Sequence, residues 1–403
     1  MEALVAGREL SIEDRCRIRR RMMFDHFKWD PQSGDQDVLA EYPVILSADL
    51  WAELKCKAEA LAAELYAAEK EILCRPELFC SLGIPDPIIR AISGRKACGV
   101  LNLSRFMRFD FHLTRRGWMI SEVNADVPGG FIEASALTEL MLAYFPDCVS
   151  SGDPSLRLAQ SIMSRIPGKG ALAFVHATAY ADDRQVMEFL GRYFRDRDFR
   201  VFFAGPRHVR WQKGKASLSG PFGPVPLDAV IRFFPAEWLM NLPWYSRWED
   251  FFAGGETLQV NPPEALLVQS KKFPLLFDRL QTPLNAWKTL CPAAREIADA
   301  PLESGHWVVK PVFSRVGEGL FIQGVSDPKE NVKILKAARR NSRYWVAQER
   351  FDAVPLAVDG VDKYLCVGVY VIDQAACGIY GRIADRPLID HRAKDVAVLI
   401  RKG

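Results

Sequence analysis

The chain has 403 residues, 49% of them hydrophobic and 26% charged, with a net charge of +3. That is ordinary globular composition, long enough for two or three lobes at roughly 150 residues each. So small a surplus excludes a dedicated nucleic-acid binder and leaves room for one local basic pocket, for example for polyphosphate.

In chain order, a basic run from Arg15 to Arg21 and an aromatic stretch ending in Lys28-Trp29-Asp30 come first. They read as a solvated helix face that packs aromatics. Residues 48–73 are rich in helix formers with apolar positions at helical spacing, so a structural helix is predicted. Residues 99–112 and 118–124 read as two strands around Arg115-Arg116-Gly117, a three-residue hairpin loop whose glycine takes positive φ. Pro128-Gly129-Gly130 breaks the chain before a helix from Glu133 to Tyr144. Strands at 171–176, 200–204 and 228–234 around a helix at 183–196 predict a small α/β lobe. Helices are expected at 264–280 and 283–290. The last hundred residues are strand-rich, at 307–312, 319–323, 344–350, 364–371 and 376–383. The resulting division is 1–98, mostly helical; 99–150, carrying the hairpin; 151–260, the α/β lobe; and 261–403, with a glycine-rich loop.

The N-terminal stretch carries acids where a secretory signal needs bases. No stretch approaches the roughly 18 apolar residues of a membrane-spanning helix. Nine scattered cysteines, with no CxxC pair, read as reduced cytoplasmic thiols. Six unclustered histidines argue against structural zinc.

The chemistry concentrates in the hairpin. Alternate residues of a strand share a face, so Arg108 goes with Asp110 and Glu122 with Asn124. A hairpin centred near residue 116 sets Asp110 opposite Glu122 and Arg108 opposite Asn124. Two facing acids with an amide beside them call for a cation, and all-oxygen ligands suit Mg²⁺. The alternative is a polar face whose acids Arg108 neutralises. Further on, an apolar strand ends in Lys310-Pro311, followed by Ser314-Arg315-Val-Gly317-Glu-Gly319 and a returning strand. Such a loop can drape its N–H groups over phosphates, with the lysine neutralising them. It is neither a Walker A loop nor a dinucleotide fingerprint, and a plain hairpin turn is the alternative. Gln348 and Glu349 end a strand that could meet an adenine edge. Arg382 ends a late strand, and Ser270-Lys271-Lys272 is a basic spot beside a helix.

Taken together, Arg-x-Asp, Glu122-x-Asn124-Ala-Asp126-x-Pro, Lys-Lys and Val-Val-Lys310-Pro with a glycine loop resemble the synthetase domain of glutathionylspermidine synthase, an ATP-grasp family. The resemblance runs from about residue 99 to the C-terminus. It includes Phe-Phe-Pro-Ala-Glu237-Trp238, and the basic start with Lys28-Trp-Asp-Pro is similar too. It implies an α+β / α/β ATP-grasp-like ligase fold in which the metal motif precedes the nucleotide lysines, a rearranged order. It implies Mg²⁺ on Asp110, Glu122 and Asn124, with Arg108 and Arg382 steadying the transferring phosphoryl group. Lys272 and Lys310 would bind ATP phosphates under the loop Ser314, Arg315, Gly317, Gly319, with Gln348 and Glu349 at the adenine slot. Asp126, Asp183 and Glu237 would meet substrate. The implied activity is ligation of a small carboxylate to an amine, with ATP and Mg²⁺, in a cytoplasmic protein acting alone or as a homo-oligomer. The alternatives are a non-catalytic nucleotide binder and a phosphotransferase. Val127-Pro128-Gly129-Gly130 replaces the family's Thr-Pro-Thr, which puts glutathione in doubt as substrate. The cysteine amidase of bifunctional members has no room in this chain, so no hydrolase activity is expected.

Overall fold

A computed structural model describes residues 3–33, 36–93, 104–220, 223–314 and 317–403. The helix Ala48–Leu73 forms where its Ala, Leu and Glu content predicts. Ser47 caps it by accepting from the Leu50 N–H at 3.2 Å, and Asp49 favours the positive end of its dipole. Trp51, Leu54, Ala58, Leu61, Leu65, Ala68 and Ile72 recur at three- and four-residue spacing and are buried. That stripe packs on a six-stranded sheet in one core with Phe109, Val367 and Val369. Each buried leucine or isoleucine of the stripe contributes about 1.5–3 kcal/mol by leaving water.

The six-stranded sheet is antiparallel. Its order is Lys394–Val396, Ala375–Ala384, Val361–Ile372, Phe106–Thr114, Gly117–Asn124, with Leu356–Val358 also paired to Val361–Ile372. The strand expected from residue 99 starts at Phe106: Ser104 and Arg105 are irregular, and 99–103 lie outside the described residues. The hairpin turn pairs Thr114 with Gly117, whose φ is 96°. Past the turn the pairing is Phe111 with Ile120. A bulge then leaves Ser121 unpaired, and Asp110 meets Glu122 and Arg108 meets Asn124. The register expected at the four polar residues is therefore present. It arises from a turn centred half a residue earlier, corrected by the bulge.

A parallel sheet runs in the order Leu258–Val260, Ala229–Arg232, Ala171–Val175, Arg200–Ala204. The helix Ala181–Arg195 crosses between the last two and buries Phe189, Leu190 and Phe194 against Leu172, Phe174 and Ile231. A third sheet, Ala294–Arg295, Trp345–Glu349, Trp307–Pro311, Phe321–Ile322, carries Lys310 and Gln348. A fourth joins the chain ends, placing Val398–Arg401 between Val44–Leu46 and Cys148–Ser150.

Two expected helices differ. Residues 264–280 are broken: Leu266–Gln269 stops at Ser270, whose ψ of 126° is extended, and only the short 3₁₀ turn Phe273–Leu276 follows. The expected helix from Glu133 opens as a π turn, Glu133–Leu137, before Thr138–Leu142. Among the described residues no helix is long and apolar enough to cross a membrane.

Candidate functional site

The six-stranded sheet, the Lys310 sheet and the loops between them enclose a cavity of about 560 Å³. Asp110, Glu122 and Asn124 line it together, as the alternation of two paired strands requires. Arg108 lies flat beside Asp110: its Nε donates to Oδ1 at 2.6 Å and its Nη2 to Oδ2 at 2.9 Å. Its Nη1 donates to the Gly129 carbonyl at 2.6 Å, and its guanidinium sits 4.9 Å from the Tyr380 ring centre. Gly368 is paired with Asp110 beneath this ion pair. A Cβ there would lie 2.7 Å from the Arg108 Cδ and 3.0 Å from the Asp110 Oδ1. The absent side chain at 368 is what lets the ion pair lie on the sheet.

Lys310 reaches across from its own sheet. Its ammonium donates to the Gln348 Oε1 at 2.6 Å and to the carbonyl of the bulged Ser121 at 3.1 Å. Burial, and the repulsion of nearby Lys271, pull its pKa down to about 8 against the attraction of Glu122. His112, hydrogen-bonded to the Ser121 hydroxyl at 3.1 Å, is held neutral by burial and by Lys310, down to about 4. Burial would raise the Glu122 carboxyl, but Lys271, Lys310 and Arg108 together hold it below its ordinary value.

Lys271, not Lys272, faces this cavity. Its Nζ is 3.2 Å from Glu122 and donates to the Ser314 carbonyl at 3.1 Å. Lys272 turns away and pairs with Glu296 at 2.7 Å, outside the cavity lining. The reason is local: the Ser270 hydroxyl donates to the Leu82 carbonyl and accepts from the Lys272 N–H, closing a turn between the two lysines. With the helix broken there, helical phase could not choose between them. His112, Ser121, Gly368, Lys271 and Tyr380 are the site residues that motif reading did not pick out. The pair Lys271-Lys272 was the only one with a signal.

Gly317, at φ 68°, Ser314, Gln348, Glu349 and Arg382 also line the cavity. Arg382 donates to the carbonyls of Asp390 and Ala393. Gly319, at φ 67°, turns the loop behind the lining, against Pro311. Arg315 lies outside the described residues. Asp183 begins the crossover helix and Glu237 sits in the short helix Ala236–Leu239; neither lines the cavity. Asp126, expected to meet substrate, is instead fully buried against Arg232 and accepts from the Ala236 N–H at 2.8 Å. No face of its carboxylate is left for a ligand. It lies two residues past the end of the strand Gly117–Asn124.

Among the described residues no three of His, Cys, Asp and Glu gather as a metal group. A hard cation would draw on two carboxylates and an amide. An ionised carboxylate offers about four acceptor positions. Arg108 and the Asn124 amide, at 3.1 Å, take three of those of Asp110. Glu122 has given up one, to Lys271. The donor chemistry fits Mg²⁺, with Glu122 as the more available carboxylate and the Asn124 carbonyl beside it.

A sequence profile for the glutathionylspermidine synthase preATP-grasp family matches residues 10–401. Among solved structures the chain is similar to a glutathione synthetase-like effector from Globodera pallida in its apo form. The TM-score is 0.67 at 11% identity, over 96% of each chain. That likeness is one of fold, and with the family match it identifies the mixed α+β architecture as ATP-grasp-type. A putative gamma-glutamylcysteine synthetase from Methylobacillus flagellatus KT aligns more loosely, with a TM-score of 0.46 at 13% identity over 84% of this chain and 88% of that one. No curated protein sequence matches the chain. With the profile spanning nearly its whole length and the fold in agreement, the chain belongs to the glutathionylspermidine synthase family.

Proposed function

We propose that the protein is an ATP-dependent ligase joining a small carboxylate to an amine. The observation that carries this reading is the single cavity in which two opposed acids, Asp110 and Glu122, face two lysines, Lys271 and Lys310. Acids alone would bind a cation and lysines alone an anion; the two together suit a metal-bound polyphosphate.

Asp110, Glu122 and Asn124 would hold Mg²⁺, which when bound supplies charge neutralisation between phosphate oxygens. Lys310 and Lys271 bind phosphate oxygens, and Ser314 and Gly317, which also line the cavity, lie beside them. Gln348 orients Lys310 and, with Glu349, borders the base. Arg108 and Arg382 face the negative charge that develops as the carboxylate oxygen bonds to the γ-phosphorus and the bond to ADP breaks. The amine nitrogen then attacks the acyl carbon, loses a proton, and phosphate leaves. Positioning and electrostatics carry the rate. In this reading residues 151–260 form the substrate-side lobe and 261–403 the nucleotide-side lobe.

The test is phosphate release from Mg-ATP across pairs of carboxylates and amines. Release is expected only when both are present. Arg382→Ala should lower turnover by ~10³-fold or more, since an arginine at a transferring phosphoryl group is worth about that much. Asp110→Ala and Glu122→Gln should nearly abolish it. Full turnover in purified Asp110→Ala sinks the metal assignment. A nucleotide-dependent thermal shift without product in any pair identifies a binder instead, and ADP formed without amine and without free phosphate, as a phosphorylated carboxylate accumulates, a phosphotransferase.

A further inference from the structure

The Lys28-Trp29-Asp30 segment plays no part in the reading above, yet its lysine is among the most buried charges in the protein. The Lys28 side chain is 9% exposed and its Nζ lies 2.7 Å from the Glu133 Oε1, 3.5 Å from the Asp30 Oδ1 and 3.6 Å from the Asp395 Oδ2. Glu133 is delivered there by the π turn that it opens; such turns insert an extra residue and re-aim the side chains beside them. Asp395 arrives from the other end of the chain, on a strand paired with Gly381–Ile383. Its backbone is fixed by bonds to Val38 and Ala40.

This cluster touches the cavity wall. The other oxygen of Asp395, Oδ1, accepts from the Tyr380 hydroxyl at 2.6 Å and lies 3.9 Å from the Arg382 Nε. Burial, and the neighbouring Asp395 carboxylate, push the Tyr380 phenol well above its ordinary value, so it stays protonated and donates. On its other side the Tyr380 ring carries the Arg108 guanidinium. Behind it stands Gly130, at φ 91°, where a Cβ would fall 2.7 Å from the ring. Tyr380 therefore has one place to be, set by Gly130 at its back and by Asp395 at its hydroxyl.

We propose that Asp395 and Lys28 are positioning residues for the two cavity arginines: Asp395 draws Arg382 by charge alone, across 3.9 Å, and holds Arg108 through Tyr380, and Lys28 neutralises the carboxylates that would otherwise repel one another behind that wall. The consequence for turnover rests on the ligase reading; the placement itself does not. The N-terminal segment, remote in sequence from the hairpin and the loop, is then part of the site's frame. Its lysine stands between the carboxylates of Glu133 and Asp395.

Tyr380→Phe keeps the ring under Arg108 and removes only the tie to Asp395. It should lower the turnover number for phosphate release by roughly 10- to 10²-fold, the scale of a small misplacement of a reacting group. The KM for ATP and the thermal midpoint should stay near wild type. Asp395→Asn should behave alike, and Lys28→Arg should retain activity that Lys28→Met loses. Wild-type turnover in both Tyr380→Phe and Asp395→Asn overturns the proposal, as do losses that merely follow the thermal midpoint. A second measurement is independent of turnover. In ¹⁵N-arginine-labelled protein the Arg108 Nε–H, bonded to Asp110, should exchange slowly, and Tyr380→Leu should speed that exchange by about tenfold or more. Unchanged exchange overturns the placement. Faster exchange in a protein that releases no phosphate under any condition retains the placement and removes the ligase reading.

Discussion

At position 368 a hydrogen atom decides whether the candidate metal face exists. Arg108 cannot step aside for a methyl group there, because it is held by Asp110, by the Gly129 carbonyl and by the Tyr380 ring. Gly368→Ala should therefore cost about 1–3 kcal/mol, the range for overpacking a dense interior, and should displace the Asp110 carboxylate. Urea unfolding and phosphate release check this together. Wild-type behaviour in both would mean that the contact is softer than its 2.7 Å distance implies. The same scale explains which site residues were legible from sequence. Arg108, Asp110, Glu122 and Asn124 announce themselves by period-two spacing. Gly368 and Tyr380 do not, because their roles are to leave room and to lie flat, and no spacing rule encodes either.

At the scale of elements, the long helix Ala48–Leu73 does more than bury a stripe. Its acids dock residues 281–287. Glu64 accepts from the N–H groups of Ala286 and Trp287, and Glu71 from those of Gln281 and Thr282. Burial alone would raise the Glu71 carboxyl, but the hydrogen bonds from Gln281, Thr282 and Arg75 hold it down at about 2. A carboxyl with a folded pKa below its unfolded value stabilises the fold above the unfolded value. For Glu71 the contribution is complete above pH of about 4.5 and fades as the pH falls toward 2. Glu71→Gln should accordingly lower the thermal midpoint near neutrality, and the gap to wild type should close across that acidic window. A gap independent of pH would show that docking there owes nothing to the charge. The broken segment after Leu266–Gln269 belongs to this scale too. A composition that reads as one helix over 264–280 is cut by Ser270, whose hydroxyl satisfies a distant carbonyl, and the cut selects Lys271 over Lys272 for the cavity.

For the molecule as a whole, the joint between the hairpin and the parallel sheet is a buried ion pair. Asp126 and Arg232 are both fully buried, and Asn261 beside them bonds the backbone of Phe106, Ala125 and Asp126. The end of the hairpin is thereby fixed to the parallel sheet. Removing one member of such a pair strands the other, which costs about 3–5 kcal/mol. Asp126→Ala should lower the unfolding free energy obtained by urea titration by that amount while leaving the KM values of whatever folded protein remains unchanged. A stable Asp126→Ala protein with raised KM would restore a substrate role. Periodicity and composition fixed the type of most elements and the opposed acids of the hairpin, and short motifs carried the family resemblance, because all of these depend on neighbours a few residues apart. Which lysine faces the cavity, that Asp126 serves the joint, and that Lys28 and Asp395 meet behind Tyr380 were decided only by the tertiary fold. Each depends on partners more than a hundred residues away, or on a single broken turn, and burial assigns such partners without leaving a local pattern in the chain.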